Sequence, residues 1–169
     1  MVQGGPGVAK GRASTVPVKR RLQVQHDSML VSFVREDRRA GAPIPLADAR
    51  RVEEMRRLAA ARLRYCGLDD LVADVELVVS ELVTNALEHG DGREVGFSFI
   101  YRDDTVHITV ADGSTSRPCE RKPDHDAESG RGLLLVSWVA AEHGGAWGVG
   151  EDGTSTWCTL KASSTADVE

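Results

Sequence analysis

Apolar residues recur at spacings of three and four along the first part of the chain, which is the pattern of a helix with one buried face. This stretch lies between Asp48, a residue type that caps helices, and Gly67, a residue type that ends them. Its apolar positions are Val52, Met55, Ala59, Leu63 and Cys66. The pattern predicts a helix over residues 48–66.

A second helix is predicted over residues 71–89, with Asp69 or Asp70 as its cap and Gly90 at its end. Most of its circumference is apolar, which is typical of a buried helix. A third and shorter helix is predicted over residues 133–142.

Apolar and polar residues alternate in the segments around these helices, which predicts strands with one buried face. The predicted strands cover residues 28–34, 94–101, 105–111, 146–149 and 154–160. Short polar connections join the second strand to the third and the fourth to the fifth. Hairpins and helices in this order predict an α+β fold: a two-layer sandwich in which a mixed, mainly antiparallel sheet carries helices on one face.

Three segments lack such a pattern. Residues 1–20 combine Gly, Ser, Pro and Val with only basic charges, and residues 162–169 are small and polar. We predict disordered tails there, around one domain over residues 21–161. Residues 112–129 also lack periodicity, and a segment of that length inside a compact domain is usually functional or disordered.

Composition narrows the class of protein. The formal net charge is −5, whereas general nucleic-acid binders are usually basic. The apolar runs stay below the roughly 18 residues of a membrane-spanning helix. Cys66, Cys119 and Cys158 show neither zinc nor disulfide spacing, which favours a reducing cytoplasm and makes Cys66 and Cys158 core residues. We expect a cytoplasmic protein that contacts neither nucleic acid nor membrane directly.

Three polar residues interrupt the apolar second helix on one face. Glu81, Asn85 and Glu88 lie at i, i+4 and i+7. Burying a carboxylate and an amide without partners costs on the order of several kcal/mol, so this face is expected to front a solvent-filled or ligand-filled pocket. Asn85 offers a neutral oxygen to a hard cation, and Glu81 could activate a water or hydroxyl. The competing interpretation is an ordinary solvated helix face.

Three further segments carry candidate binding residues. Asp112 ends a predicted strand, where its carboxylate could accept a hydrogen bond from an exocyclic amine or simply form a turn. Gly130, Arg131 and Gly132 lead into the third helix; the glycines allow close approach of a phosphate, and Arg131 adds positive charge. The hydroxyl of Thr154, at the start of the last strand, could join Asp112. Plain turn chemistry explains the glycine pair and the Thr154 segment equally well.

The order and spacing of these segments resemble the GHKL, or Bergerat-fold, ATPases. The matching segments are 81–90 (ELVTNALEHG), 110–112 (VAD), 130–133 (GRGL) and 153–154 (GT). Within that superfamily the chain is similar to the anti-sigma factor and serine-protein kinase group, stand-alone ATP-binding regulators abundant in actinobacteria. The resemblance covers about residues 45–160.

The resemblance implies the Bergerat ATP-binding fold and a role for each candidate residue. ATP would lie between the helix layer and a lid, with Asn85 ligating Mg²⁺ and Glu81 acting as the general base. Asp112 would accept from the adenine amine, supported by Thr154. Gly130 and Gly132 would hold the phosphates under the lid, where the charge of Arg131 also suits phosphate oxygens.

The resemblance also implies partners. Kinase members phosphorylate a serine on an anti-anti-sigma antagonist, and other members bind a sigma factor and keep it from RNA polymerase. Glu128 stands where several kinases carry an arginine aimed at the γ-phosphate. The alternative to a kinase is therefore a non-catalytic, ATP-dependent module that binds a sigma factor or another partner. Small regulators often form symmetric dimers, so a homodimer stays open.

Other functions fit the sequence less well. A histidine-kinase ATPase domain would need a helical hairpin with an acceptor histidine, and His26 lies in no helical pattern. Gyrase-type and mismatch-repair-type ATPases need a transducer domain. A protein without any nucleotide would leave the polar helix face without an occupant.

Overall fold

The computed structural model describes residues 24–39, 42–113 and 129–162. Within them, the strands are β1 (His26–Val34), β2 (Glu94–Arg102), β3 (Thr105–Ala111), β4 (Ala146–Val149) and β5 (Ser155–Lys161). The helices are α1 (Leu46–Cys66), α2 (Val72–His89) and α3 (Ser129–Glu142), and a 3₁₀ turn covers Asp69–Leu71. The predicted tail at 1–20, residues 163–169 of the second tail and loop residues 114–128 lie outside the described residues.

The five strands form one sheet in the order β1-β2-β3-β5-β4, and each pairing among these described strands is antiparallel. One face of the sheet is apolar, because alternate residues of the central strands point to it. Its buried side chains on β2 and β3 are Val95, Phe97, Phe99, Tyr101, Val106, Ile108 and Val110. The helices share one core with this face. The prediction of an α+β sandwich with helices on one side is therefore confirmed.

Helix α2 lies at the centre of the core. Its fully buried side chains are Val75, Val78, Val79, Leu82 and Val83. Each such side chain contributes roughly 1.5–3 kcal/mol through burial, so α2 contributes strongly to the stability of the core. None of the helices in the described ranges is both long and apolar enough to cross a membrane.

The start of α1 differs from the prediction, whereas its end agrees. The helix begins at Leu46 after Pro45, and Asp48 is not its cap. Asp48 is buried, and its carboxylate accepts a hydrogen bond from the backbone N–H of Glu36 at 3.2 Å. The Asp48 carboxylate, which the sequence predicted to cap the helix, therefore bonds to a backbone group outside the helix. Gly67 ends α1 in the left-handed conformation, with φ 79°.

The starts of α2 and α3 also differ from the prediction. Asp69 and Asp70 lie inside the 3₁₀ turn, and neither side chain caps α2. Helix α3 begins at Ser129, so residues 130–132 belong to its first turns and do not form a turn ahead of it. Glycine is a poor helix former, which is why the apolar pattern placed this start later.

An ion pair between the buried Asp27 and the half-buried Arg62 joins β1 to α1. Arg62 donates from Nε to the buried Asp27 carboxylate at 2.6 Å and makes a second hydrogen bond from Nη2. The hydrogen bonding to Asp27 raises the pKa of the Arg62 guanidinium. The thiol of Cys66 lies 3.8 Å from the same carboxylate. The pair fixes the edge strand of the sheet to the helix layer.

The two described cysteines are core residues, as predicted. Burial, with a smaller contribution from Asp27, raises the pKa of the Cys66 thiol to about 11. Burial raises the pKa of Cys158 to about 12. Both thiols therefore stay protonated at neutral pH. Cys119 lies outside the described residues.

Candidate nucleotide-binding site

A cleft with a volume of about 170 Å³ opens between the C-terminal half of α2, the end of β3, α3 and the β4–β5 hairpin. The residues that line it are Asn85, Ala86, His89, Gly90, Val110, Asp112, Leu133, Val149, Gly153, Thr154, Ser155 and Thr156. Three residues predicted from the sequence, Asn85, Asp112 and Thr154, are thus brought together from separate parts of the chain. The lining combines apolar side chains, among them Val110 and Leu133, with polar ones.

Asp112 and Thr154 are neighbours because the β3–β5 ladder continues beyond the ends of both strands. The backbone N–H of Asp112 donates to the carbonyl oxygen of Thr154 at 2.9 Å. The backbone N–H of Thr154 donates to the Asp152 carboxylate at 3.0 Å, and this bond is the main reason that the pKa of Asp152 is lowered. The carboxylate of Asp112 and the hydroxyl of Thr154 therefore belong to one rigid edge of the cleft.

Three glycines allow the loop after α2 to rest directly on the Asp112 segment. A Cβ on Gly90 would lie 2.5 Å from the carbonyl oxygen of Ala86 and 2.7 Å from Cβ of Asp112. A Cβ on Gly92 would overlap the backbone of Gly113, which itself has φ 67°. The sequence pattern predicts only a helix end at Gly90 and indicates no role for Gly92. The signal for this contact is the run of Gly90, Asp91 and Gly92 directly after α2.

The polar stripe of α2 divides into three environments. Asn85 lines the cleft. Glu88 is exposed, and its Oε2 lies 3.7 Å from Nε2 of His89. For Glu88, the competing interpretation of an ordinary solvated helix face is therefore correct. Glu81 is half-buried, and its carboxylate lies against the α-carbon of Gly132, so that a Cβ there would collide with Oε2. Glu81 thus faces the start of α3 and is not among the residues that line the cleft.

The predicted phosphate-binding residues lie at the N-terminal end of α3. Gly130, Arg131 and Gly132 are in its first turns, and Leu133 reaches the cleft. Arg131 is exposed. The first N–H groups of a helix have no partners within the helix and favour anions. Glu128, which departs from the kinase pattern, lies outside the described residues.

The donor set fits a magnesium nucleotide. Mg²⁺ is usually held by one or two protein oxygens together with phosphate oxygens, and Asn85 supplies such an oxygen inside the cleft. Within the described ranges, no group of three or more His, Cys, Asp or Glu side chains is placed to hold a metal by itself. Asp112 supplies an acceptor at the edge formed by β3 and β5. The role of each of these residues stays a prediction.

Comparison with known proteins identifies the family. The chain matches the sequence profile of the histidine kinase-like ATPase domain over residues 46–159, which is more than half of its length and runs from α1 into β5. No curated protein matches the chain. The matched region contains the whole cleft and every predicted site residue. The chain therefore belongs to the histidine kinase-like ATPase domain family.

Proposed function

We propose that this protein is a Mg-ATP-dependent regulator of the anti-sigma factor and serine-protein kinase group, working in the cytoplasm. The observation that carries the proposal is the convergence of Asn85, Asp112 and Thr154 on one cleft. Family membership supports ATP as the ligand of that cleft. The partners would be a sigma factor, an anti-anti-sigma antagonist, or both.

In this proposal, each wall of the cleft binds a different part of Mg-ATP. The Asp112 carboxylate accepts a hydrogen bond from the adenine amine, next to the hydroxyl of Thr154. Asn85 holds Mg²⁺, which neutralises phosphate charge. The N–H groups at the start of α3, with Gly132 and Arg131, bind the phosphates.

Titration calorimetry with ATP and GTP, each with and without Mg²⁺, tests the nucleotide. We expect ATP to bind more tightly than GTP, because guanine carries a carbonyl where adenine carries the amine that Asp112 accepts. We also expect Mg²⁺ to strengthen binding. Equal affinity for the two nucleotides would remove Asp112 from adenine recognition. Absence of binding to either would overturn the proposal.

For the kinase activity, we assign Glu81 as the general base. It takes the proton from a serine hydroxyl of the antagonist while the serine oxygen bonds to the γ-phosphorus and ADP leaves. Its place on α2, one turn before Asn85, supports this role.

A non-catalytic binding module is the second candidate, and one observation favours it. The Glu81 carboxylate lies against the Gly132 backbone and not on the wall of the cleft. A capture experiment from native lysate, with and without Mg-ATP, followed by incubation with labelled ATP, separates the two. Label on the captured partner supports the kinase. Nucleotide-dependent capture without label supports the binding module.

A further inference from the structure

Two arginines from the segment after β1 hold the C-terminal end of α2. A helix leaves its last four carbonyl groups without partners inside the helix. Arg38 donates from Nη2 to the carbonyl oxygens of Leu87, at 3.2 Å, and Glu88, at 2.8 Å. Arg35 donates from Nη1 to the carbonyl oxygen of Gly90. Positive charge at this end of the helix also suits its dipole.

The arginine segment is itself anchored on two sides. The backbone N–H of Arg35 donates to the carbonyl oxygen of Arg93 at 2.9 Å, which continues the β1–β2 ladder. The backbone N–H of Glu36 donates to the buried carboxylate of Asp48 in the first turn of α1. Residues 35–38 therefore connect the sheet and α1 to the end of α2.

The carbonyl group that Arg35 holds belongs to the residue that touches Asp112. Gly90 packs against the side chain of Asp112 so closely that a Cβ would collide with it, and Gly92 packs against Gly113 in the same way. Gly90 and Asp112 both line the cleft. A shift of the end of α2 would therefore move one wall of the cleft against the carboxylate at its edge.

We propose that Arg38, together with Arg35, is a positioning residue for adenine recognition. The two guanidinium groups fix the last carbonyls of α2 and of Gly90, and Gly90 in turn holds the Asp112 carboxylate at the place where it meets the adenine amine. Neither arginine is among the described residues that line the cleft, so the effect passes through the backbone of Gly90. This inference rests on the proposed function, because adenine is the ligand that Asp112 recognises.

The test compares ATP with inosine triphosphate, which carries a carbonyl in place of the adenine amine. The variants are Arg38→Ala, Arg38→Lys and, as matched control, Arg39→Ala at the next and exposed position. We expect Arg38→Ala to weaken ATP roughly tenfold and inosine triphosphate by at most about threefold, as for the loss of a well-placed hydrogen bond to a charged group. Arg38→Lys should recover part of the preference for ATP, and Arg39→Ala should keep all of it.

If Arg38→Ala lowers the affinity for ATP and for inosine triphosphate equally, the inference is wrong. A general loosening of the fold would affect both nucleotides alike, whether or not they carry the amine. An unchanged preference for ATP would overturn the inference as well. Should Arg38→Ala not fold, Arg38→Lys and Arg38→Gln carry the test. The preference must then fall from arginine to lysine to glutamine, and equal preferences contradict the inference.

Hydrogen exchange without nucleotide tests whether Arg38 holds Gly90 and Asp112 in place, separately from the proposed function. The amides to follow are those of Gly90, which donates to Ala86, and Asp112, which donates to Thr154. We expect faster exchange at both in Arg38→Ala and Arg38→Lys, and no change in Arg39→Ala. Unchanged exchange in the Arg38 variants would overturn the inference that Arg38 positions these residues. Wild-type protein that binds no ATP would instead overturn the proposed function.

Discussion

Asp112 and Thr154 lie far apart in the sequence, yet a single backbone hydrogen bond of 2.9 Å sets them side by side at the edge of the cleft. Asn85, on α2, lines the same cleft. At the scale of the residue, function in this protein depends on which polar group reaches the cleft and which lies beside it. Asn85 and Asp112 reach it, whereas Glu81 lies against Gly132.

Replacing Asp112 by asparagine tests the adenine contact. We expect Asp112→Asn to weaken ATP binding by roughly 1–3 kcal/mol, because a charge-assisted hydrogen bond becomes a neutral one. Calorimetry measures the change. The control is Asp103→Asn in the exposed β2–β3 turn, which should bind ATP as the wild type does. A similar loss in both variants would contradict the assignment of Asp112.

Glu81 and Asn85 lie one helical turn apart, and their substitution should have different effects on binding and catalysis. Asn85→Ala removes the oxygen for Mg²⁺ and should lose most of the nucleotide affinity. Glu81→Gln should keep ATP binding and lose phosphate transfer, because a general base acts on the serine hydroxyl. Paired assays of ATP affinity and phosphate transfer decide between them. A Glu81→Gln variant that loses ATP as severely as Asn85→Ala would mean that Glu81 belongs to the metal site or the fold.

At the scale of the element, glycines let α2 and the loop after it lie close to the end of β3 and to the start of α3. Gly90 and Gly92 provide that approach on one side and Gly132 on the other. Gly90 of the loop after α2 is therefore part of the wall of the cleft. Arg35 and Arg38 complete this junction from outside.

Substitution of Gly90 tests the junction. Gly90→Ala places a methyl group against the Ala86 carbonyl and the Asp112 side chain, so both the melting temperature and ATP affinity should fall. The matched control is Gly96→Ala on β2, where the nearest neighbour, Cβ of Ala111, would be at an ordinary 3.7 Å. We expect Gly96→Ala to change ATP affinity little. Thermal unfolding and calorimetry on both variants give the comparison, and equal effects would contradict the proposed contact.

At the scale of the whole molecule, one apolar layer holds sheet and helices together, and two thiols are buried in it. Cys66 sits where α1 meets β1, and Cys158 lies on β5 opposite Ile108 of β3. Burial raises both pKa values, to about 11 and about 12. The stability of the fold is therefore linked to the protonation of these thiols.

Stability should fall in alkaline solution for this reason. The unfolded thiols ionise near pH 9, whereas the folded thiols ionise near about 11 and about 12, so the unfolded state binds fewer protons above pH 9. The stabilisation is complete below pH 9 and is lost as pH rises through the folded pKa values. Urea unfolding across pH 7 to 11 measures this loss. A Cys66→Ala, Cys158→Ala double variant should show a shallower decline, and an equal decline would contradict the linkage.

The sequence by itself determined the helices, the strands and the residues that could meet a nucleotide. Periodicity of three to four and of two is a local property, so α1, α2 and all five strands could be located from it. The Glu81–Asn85 stripe was identifiable because polar residues stood out against an apolar helix. Asp112 and Thr154 were candidates because they stand at the ends of predicted strands and match the ATPase resemblance. The ends of α1 and α2 lie at Gly67 and Gly90, as the sequence predicted. Glycine's conformational freedom explains the first of these, because Gly67 has φ 79°, whereas Gly90 is extended with φ −66°.

Only the tertiary structure decided which groups became partners. Asp48, a cap by sequence, bonds instead to Glu36, and the glycine segment at 130–132 became part of α3. Gly90 meets Asp112, and Arg38 holds α2, through contacts between residues that are distant in sequence. The sequence pattern reports the preferences of each segment, but hydrogen bonds and close packing depend on distances in space, which are set only when the sheet and helices are assembled.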